Sequence, residues 1–215
     1  MSACTTMTDR SRSSDSMLDD DLQRDLAVAG RSLERAERTR HAAVGAHDPT
    51  ATPHFVLEDL LGGLDFGADS QLLDVGCGAG RVLAYFVGAG LPGCVTGVEL
   101  DTRLAAEAKA WSRRYPQVRV LAGSVLDLPL AAYTHVYLFN PFDTPVLEAF
   151  LDKLEREATG PVTLVHMSDN GEWPAYLERS GWTVLREGTF ELPGEEGDCP
   201  QHATVRRFVP KTACV

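Results

Sequence analysis

The sequence predicts an α/β protein with a doubly wound, mostly parallel sheet of seven strands, helices on both faces and a terminal antiparallel hairpin. Three observations support this fold class. Short apolar runs alternate with amphipathic segments over residues 71–181, which is typical of consecutive strand–helix units in a parallel sheet. Two further strand patterns, at residues 182–185 and 205–209, flank a polar loop and predict the hairpin. A glycine-rich turn at residues 76–80 separates the first buried strand from its helix.

The composition of the 215-residue chain narrows the function classes. Hydrophobic residues make up 44% of the sequence, which is ordinary for a globular protein with a buried core. The formal net charge of −11 disfavours nucleic acid as a partner, because phosphate binding needs a basic surface. Scattered cysteines without a C-x-x-C pair indicate reduced thiols in a cytoplasmic protein, with neither a disulfide framework nor a metal site. The sequence has no apolar run that could span a membrane, and it lacks the apolar core of a signal peptide.

The first 50 residues are predicted to form two regions ahead of the main domain. Residues 1–16 are rich in Ser, Thr, Asp and Arg and are predicted to be disordered. Residues 17–50 are predicted to be a helical extension, because apolar residues recur there at helical spacing. These residues are Leu22, Leu26, Ala29, Leu33 and Ala36. We interpret this helix as packed on the sheet, and the alternatives are a lid over the functional site and a homodimer contact.

Residues 51–215 are predicted to be the main domain, and its elements follow in order. Thr52 and Pro53 predict the start of a short helix that ends at Gly62, with His54 exposed in its first turn. Apolar and β-branched runs predict strands at residues 71–75, 95–99, 118–122, 135–139 and 161–166. Helices are predicted after the glycine turn, at residues 102–114, from residue 144, and at residues 172–180.

The first strand ends in a motif that predicts a ligand site. Asp74 is followed by three alternate glycines, Gly76, Gly78 and Gly80. Such a turn lets a ligand approach the backbone, and the helix N-terminus behind it favours a carboxylate or phosphate. The spacing differs from the G-x-G-x-x-G pattern of dinucleotide folds. It resembles the first motif, acid-x-G-x-G-x-G, of the class I S-adenosylmethionine-dependent methyltransferases. The resemblance implies S-adenosylmethionine as the cofactor, with Asp74 and the glycine turn at its methionine end.

Two later segments extend the resemblance to the adenosine end of the cofactor. Glu99 ends the second strand, where a carboxylate can accept hydrogen bonds from both ribose hydroxyls, and Leu100 would then flank the adenine. The run after the third strand resembles the family's G-D-A-x-x-L-P-F motif, with Ser124 in place of the acid that meets the adenine amino group. A hydroxyl accepts that hydrogen bond more weakly than a carboxylate, and the backbone of Val125 can share it.

Asn140 and His166 are the catalytic candidates. The run Asn140-Pro141-Phe142-Asp143 resembles the N-P-P-[YF] signature of amino-methylating enzymes, but it lacks the second proline. By this resemblance the side-chain carbonyl of Asn140 holds the acceptor nitrogen beside the transferred methyl group. Asn140 is also a candidate cofactor contact, and the alternative is that it only shapes the turn. His166 ends the fifth strand as a candidate general base, and a core histidine bonded to a backbone carbonyl is the alternative.

The function predicted from these features is transfer of the sulfonium methyl group to a nitrogen or oxygen nucleophile of a small molecule or protein. A neutral amine needs only an orienting acceptor such as Asn140, whereas an oxygen acceptor calls for a base, with His166, Asp143 and Tyr137 as candidates. The alternatives are an aminopropyltransferase on the same fold and a non-catalytic S-adenosylmethionine-binding module that acts through a partner.

Overall fold

The computed structural model describes residues 5–6, 14–35, 37–168, 173–192 and 199–211. Within them lies one eight-stranded sheet, whose strands are β1 Thr5–Thr6, β2 Gln71–Val75, β3 Cys94–Glu99, β4 Val118–Ala122, β5 His135–Phe139, β6 Val162–Met167, β7 Trp182–Leu192 and β8 Cys199–Phe208. The α-helices of this described part are α1 Ser14–Ala29, α2 His54–Leu61, α3 Arg81–Gly88, α4 Thr102–Ser112 and α5 Thr144–Glu157.

The strand order is β1-β7-β8-β6-β5-β2-β3-β4, and it confirms the predicted architecture. Strands β2 to β6 pair in parallel with one another. Strand β8 pairs antiparallel with β6 and β7, as the terminal hairpin requires. The two-residue strand β1, which the sequence did not predict, adds to the free edge of β7. The chain leaves β4 at one edge and returns to β5 on the other side of β2, so the ligand crevice of such a sheet lies at the carboxyl ends of these strands.

The core has two parts, one on each face of the sheet. On one face, α2, α3 and α4 bury residues such as Leu57, Phe86 and Trp111. On the other face, α5 buries Phe150 and Leu154 against the same strands. Because both faces of the parallel strands are covered, the strands read as nearly continuous apolar runs, and this made them recognisable in the sequence.

Helix α1 differs from its prediction in extent and in orientation. It ends at Ala29, ahead of Leu33, which packs in the core from the segment that follows. The helix buries Asp21 and Asp25, which are 5% and 0% exposed, while Leu22 and Leu26 are 37% and 41% exposed. The prediction that the leucine stripe is the buried face is therefore wrong. The reason is a set of buried ion pairs, described below, that outweighs the burial of the leucines.

Several predictions fall partly outside the described residues. Of the tail predicted to be disordered, residues 1–4 and 7–13 lie outside them, and so does Ala36 of the predicted helix. The domain boundaries and the homodimer contact stay predictions. In place of the helix predicted at residues 172–180, the described part holds a short 3-10 helix, Trp173–Tyr176, and Glu178 with a φ of +64° breaks any continuation. No described helix is long and apolar enough to cross a membrane.

Candidate cofactor and acceptor site

The glycine turn after β2 is fixed against two neighbouring strands. The N–H groups of Gly76 and Cys77 both donate to the carbonyl oxygen of Val98, at 2.9 and 3.1 Å. Gly76 has a φ of +73°, and a Cβ there would lie 2.9 Å from the Cβ of Pro141, in the loop after β5. Glycine is therefore required at this position, both for its backbone conformation and for the approach of the two loops.

The other two glycines of the turn face different surroundings. A Cβ on Gly78 would meet nothing within 4 Å, so this part of the backbone borders open space. A Cβ on Gly80 would lie 3.0 Å from the indole ring of Trp111 in α4. The same indole donates from Nε1 to the carbonyl oxygen of Ala79, at 2.9 Å. Gly78 is thus accessible to a ligand, whereas Gly80 packs the start of α3 against α4.

The carboxylate of Glu99 connects β3 to the glycine turn. Its Oε2 accepts from the N–H of Gly78 and its Oε1 from the N–H of Asp101, both at 2.8 Å. Burial raises the pKa of Glu99, and these N–H donors offset part of that rise. Each carboxylate oxygen keeps a further lone pair, so Glu99 can accept hydrogen bonds from a ligand while it holds the turn.

The carboxyl group of Asp74 lies below the turn and is 3% exposed. Among the described residues, its Oδ2 has no hydrogen-bond partner. Burial, and secondarily the nearby charge of Glu99, raise the pKa of Asp74 well above its ordinary value. A buried carboxyl oxygen without a partner is costly in a folded protein unless a ligand satisfies it.

Two adjoining cavities lie at the carboxyl ends of the strands. The larger has a volume of about 390 Å³, and the smaller, of about 40 Å³, lies beside Asp74 and the glycine turn. The two cavities share the wall residues Pro49, Thr50, Val75, Gly76 and Phe139. Together they form one crevice at the position where the topology of the sheet places a ligand site.

Most of the predicted cofactor residues border this crevice. The residues that border the larger cavity are Gly76, Glu99, Leu100, Ser124 and Val125, and those that border the smaller one are Asp74, Gly76 and Gly78. The oxygen of Ser124 also accepts from the N–H of Leu126, at 3.2 Å, and so caps a short 3-10 helix, Val125–Asp127. The hydroxyl predicted to meet the adenine is therefore already committed in part to its own loop.

A segment without a recognisable motif closes the other side of the crevice. Residues 37–52, here called the strap, run across it and border both cavities. At one end the strap is held by α4, where Arg103 donates to Oε1 of Glu37 at 2.6 Å. At the other end, Oγ1 of Thr52 and the hydroxyl of the buried Tyr137 in β5 are 2.7 Å apart. The strap is thus fixed on both sides of the crevice.

His47 attaches the middle of the strap to the loop between β5 and α5. Its Nδ1 lies 2.8 Å from the carbonyl oxygen of Asn140, and its Nε2 lies 2.8 Å from Oδ1 of Asp143. Its backbone N–H donates to the carbonyl oxygen of Pro141 at 3.1 Å, and Gly45 accepts from the N–H of Asp143 at 2.8 Å. Since both ring nitrogens face oxygen acceptors, both side-chain bonds form only when both nitrogens carry a proton.

A buried cluster of ion pairs fixes α1 and the segment that follows it behind the glycine turn. Arg81, the first residue of α3, is 4% exposed. It donates to both carboxylate oxygens of Asp25, at 3.2 and 2.9 Å, to Asp21 at 3.3 Å and to Glu34 at 2.9 Å. Burial by itself would raise the pKa of Asp25, but the bonds from His54 and Arg81 bring it below the ordinary value.

His54 belongs to the same cluster, so its predicted exposure is wrong. Its Nε2 lies 2.9 Å from Oδ1 of Asp25, and its backbone N–H donates to Oδ1 of Asp21 at 2.8 Å. Burial raises the pKa of Asp21, and the bond from His54 offsets part of that rise. The cluster explains why α1 turns its carboxylates inward, because each of them finds a donor there.

Asn140 lies at the crevice without bordering either cavity. Its neighbours Phe139 and Pro141 do border the larger one. The side-chain Oδ1 of Asn140 is buried and has no hydrogen-bond partner among the described residues. Its backbone has a φ of +38°, which is uncommon for a residue with a Cβ and frequent at functional sites. Asn140 is therefore strained, tethered to His47 and short of one partner.

His166 is separated from the predicted cofactor residues. It is buried on the face of the sheet that α5 covers, and its Nδ1 lies 2.8 Å from the hydroxyl of Tyr176. His166 borders neither cavity. The geometry favours the alternative of a core histidine, here with a tyrosine hydroxyl as a partner. Burial also raises the pKa of Tyr137, so this third candidate base keeps its proton.

The comparisons with known proteins agree with this geometry. Residues 72–158 match the family model of a methyltransferase domain. No curated protein matches the chain significantly. An RNA methyltransferase from Salinibacter ruber, solved in complex with S-adenosyl-L-homocysteine, superposes with a TM-score of 0.56 at 20% identity, over 76% of this chain and 95% of that one.

Two further solved structures share the fold. A SAM-dependent methyltransferase from Aquifex aeolicus has a TM-score of 0.54 at 22% identity, over 71% of this chain and 89% of its own. TrmN from Thermus thermophilus has a TM-score of 0.60 at 15% identity, over 74% of this chain and 49% of its own. The chain therefore has the class I, Rossmann-like fold, and residues 72–158 resemble a methyltransferase domain. This confirms the predicted family resemblance, and S-adenosylmethionine is the cofactor of that class.

Proposed function

We propose that the protein transfers the methyl group of S-adenosylmethionine to a nitrogen or oxygen nucleophile of a small molecule. The observation that carries this proposal is the crevice itself. Predicted cofactor residues from β2, β3 and the loop after β4 border it on one side, and the strap covers the other. An enclosed crevice at the carboxyl ends of parallel strands suits methyl transfer, which depends on alignment and on the exclusion of water.

The residues fit the cofactor in chemistry as well as in position. Glu99 keeps lone pairs for the ribose hydroxyls, and Leu100 and Val125 offer apolar surface to the adenine. Asp74 has an unsatisfied oxygen, and Gly78 leaves space above its backbone, so both suit the methionine end. The bound cofactor supplies an electrophilic methyl group on a positively charged sulfur. The protein has to hold that methyl group in line with the acceptor.

Asn140 is the residue that we assign to the acceptor. Its side-chain oxygen lacks a partner within the part of the chain that the structure describes, and its backbone lies between two residues that border the larger cavity. An amide oxygen at this place can accept a hydrogen bond from the nucleophile and so align its lone pair with the methyl group. We do not assign His166 to this step, because it is buried on the face of the sheet that α5 covers, beside Tyr176.

A small acceptor is favoured over RNA, although RNA methyltransferases occur among the structural neighbours. The chain carries a net charge of −11, which repels a phosphate backbone. The charged residues that border the larger cavity are mostly acidic: Glu37, Asp48, Glu99 and Asp101, with Arg38 as the arginine. The strap also covers the crevice, so a small molecule or a single extended group reaches the methyl position more easily than a folded nucleic acid.

Label transfer from methyl-labelled S-adenosylmethionine tests this proposal. The protein is incubated separately with a small-metabolite pool, total RNA and a proteome extract. We expect label to appear in the metabolite pool, and to fall strongly with the Glu99→Ala variant. Label in RNA alone would replace the small-molecule assignment. Cofactor binding by calorimetry without label in any pool would favour a non-catalytic module. Transfer of label from decarboxylated S-adenosylmethionine labelled in its aminopropyl group, with none from the methyl-labelled cofactor, would indicate an aminopropyltransferase.

A further inference from the structure

Asp74 is a buried acid that faces the smaller cavity without a cation. It pairs in the sheet with Gly97 of β3 on one side and with Tyr137 of β5 on the other. Its Oδ2 is buried and has no hydrogen-bond partner among the described residues. The cavity beside it, between the glycine turn and the strap, is about 40 Å³ in volume, enough for a small polar group.

The titratable groups around Asp74 do not supply a positive charge. From β3, Glu99 adds a second acid whose charge acts on Asp74. From β5, Tyr137 is bonded to Thr52, and burial raises its pKa, so it remains a neutral phenol. From the glycine turn, burial raises the pKa of the Cys77 thiol, which also stays neutral. Burial and the charge of Glu99 favour the neutral form of Asp74, and the neutral side chains of Tyr137 and Cys77 carry no charge that would oppose them.

Two arginines border the same cavity, and both are engaged by other acids. Arg81 of α3 is bonded to the carboxylates of Asp21, Asp25 and Glu34. Arg35, just ahead of the strap, donates to Glu107 of α4 at 2.5 Å. Among the described residues, neither arginine is hydrogen-bonded to Asp74. Burial and the charge of Glu99 therefore act on Asp74 without compensation, and both raise its pKa well above the ordinary value.

We propose that Asp74 is protonated in the free protein and releases its proton when it receives the ammonium group of the cofactor's methionine end. This inference rests on the proposed function, since it takes S-adenosylmethionine as the ligand. The proton leaves the Asp74 carboxyl group for the solvent, and the carboxylate that remains pairs with the ammonium. The positive charge is thus supplied by the ligand, and the protein does not have to keep an unpaired buried carboxylate before it binds.

The linkage predicts how affinity depends on pH. A group that releases one proton on binding makes affinity rise by about tenfold per pH unit below the pKa of that group in the free protein. Above that pKa the affinity is level. The dependence should be carried by the amino-acid end, so a nucleoside without that end should bind with no such slope.

Calorimetry in buffers of different ionisation enthalpy measures the released protons directly. The probes are S-adenosylhomocysteine, which has the ammonium group, and 5′-methylthioadenosine, which lacks the whole amino-acid end. Below the pKa of Asp74 in the free protein, which a series of measurements at falling pH locates, we expect release approaching one proton with the first probe and none with the second. Asp74→Asn should bind S-adenosylhomocysteine more weakly and without proton release. Glu99→Gln, the matched change at the neighbouring acid, should weaken binding but retain the release.

The outcomes separate this inference from the proposed function. Binding of S-adenosylhomocysteine without proton release by the wild-type protein would overturn the inference and leave the function intact. Release that persists in Asp74→Asn would assign the proton to another group and would also overturn it. Failure of the wild-type protein to bind either S-adenosylmethionine or S-adenosylhomocysteine would overturn the function itself. Asp74→Asn should fold, because it replaces a buried, unsatisfied acid by a neutral group of the same shape, and a melting curve checks this.

Discussion

The two walls of the crevice are built in different ways. The cofactor wall, formed by the glycine turn and the ends of β3 and β4, is held mainly by backbone groups, such as the N–H of Gly78 bonded to Glu99. These partners are 21 positions apart in the chain. The strap wall is held by side chains from distant parts of the chain, such as His47 and Asp143, which are 96 positions apart.

This difference separates what is common to the fold from what is particular to this chain. A backbone N–H is available in any sequence that can form the turn, so the cofactor wall needs little more than glycines and one acid. The strap wall needs specific donors and acceptors on both sides. The acceptor side of the crevice can therefore change while the cofactor side is kept, as expected where one fold serves many substrates.

The largest effect is expected at Arg81, where the two walls meet behind the glycine turn. Arg81→Met removes the donor of three carboxylates and leaves two of them, Asp21 and Asp25, buried without it. We expect a loss of about 3–5 kcal/mol in the free energy of unfolding, measured with denaturant, because a buried acid without its partner is strongly destabilising.

Arg103→Met is the matched control for Arg81. It also removes an arginine that bonds an acid of the N-terminal region, Glu37, but this arginine lies at the surface. An exposed pair contributes little, so the unfolding free energy should hardly change. Equal losses in the two variants would show that burial of the cluster has no special weight, and that α1 is attached by its other contacts.

The second largest effect is expected at Asn140, on turnover. Removal of one positioning contact costs on the order of 10²-fold in rate, so Asn140→Gly should transfer methyl slowly and bind the cofactor normally. Glycine is the informative replacement, because it adopts a φ of +38° without strain, whereas alanine does not. Single-turnover rate, cofactor affinity and melting temperature are measured on one preparation.

Comparison of Asn140→Gly with Asn140→Ala separates the two interpretations of this residue. If the amide acts on the acceptor, both variants should be slow, and only Ala should lower the melting temperature. A normal rate in Asn140→Gly together with an unstable Asn140→Ala would mean that the residue only shapes the turn.

The cofactor wall could be predicted from sequence because its signals are local. Asp74, the glycines and Glu99 each end or follow a strand, and the strands are marked by continuous apolar runs. The buried face of α1 could not be predicted, because the inward turn of Asp21 and Asp25 depends on Arg81, about 56 to 60 positions later. The same holds for His47, which follows the small apolar residues 42–46 and shows no motif that would single it out.

Asn140 and His166 show that position at the end of a strand is not enough to predict a functional residue. Both come at the ends of neighbouring strands, so both were expected at the functional edge. Side chains alternate between the faces of a strand, and His166 lies on the face covered by α5, where it contacts the hydroxyl of Tyr176. The strand itself could be predicted from the sequence, but the face of the sheet that each helix covers could not.

An intermediate effect is expected at Glu99, on cofactor affinity. Glu99→Ala should weaken S-adenosylmethionine binding by about 1.5–3 kcal/mol, the scale of hydrogen bonds to a charged group. Because Glu99 also holds the N–H of Gly78, part of this loss would reflect a looser turn. Glu99→Gln keeps one acceptor oxygen, so titration calorimetry should give it a smaller loss than alanine. Equal affinities for the wild-type protein and Glu99→Ala would show that Glu99 does not bind the ribose.

The smallest effect is expected at His47, on the release of the cofactor. His47→Gln removes the two ring contacts that join the strap to Asn140 and Asp143, both of them partly exposed to solvent. Loss of two hydrogen bonds that are partly exposed to solvent costs about 1 kcal/mol. The strap should then open more readily, and S-adenosylhomocysteine should dissociate about fivefold faster. Association should not become slower, because an open strap does not obstruct entry. Stopped-flow displacement measures both rates, with His41→Gln as the control on the same strap.

If Asp143→Asn accelerates release as much as His47→Gln, and the double variant adds nothing, the two residues act as one contact. An unchanged dissociation rate in His47→Gln, Asp143→Asn and the double variant would mean that the strap stays closed without His47, held by its ends at α4 and β5.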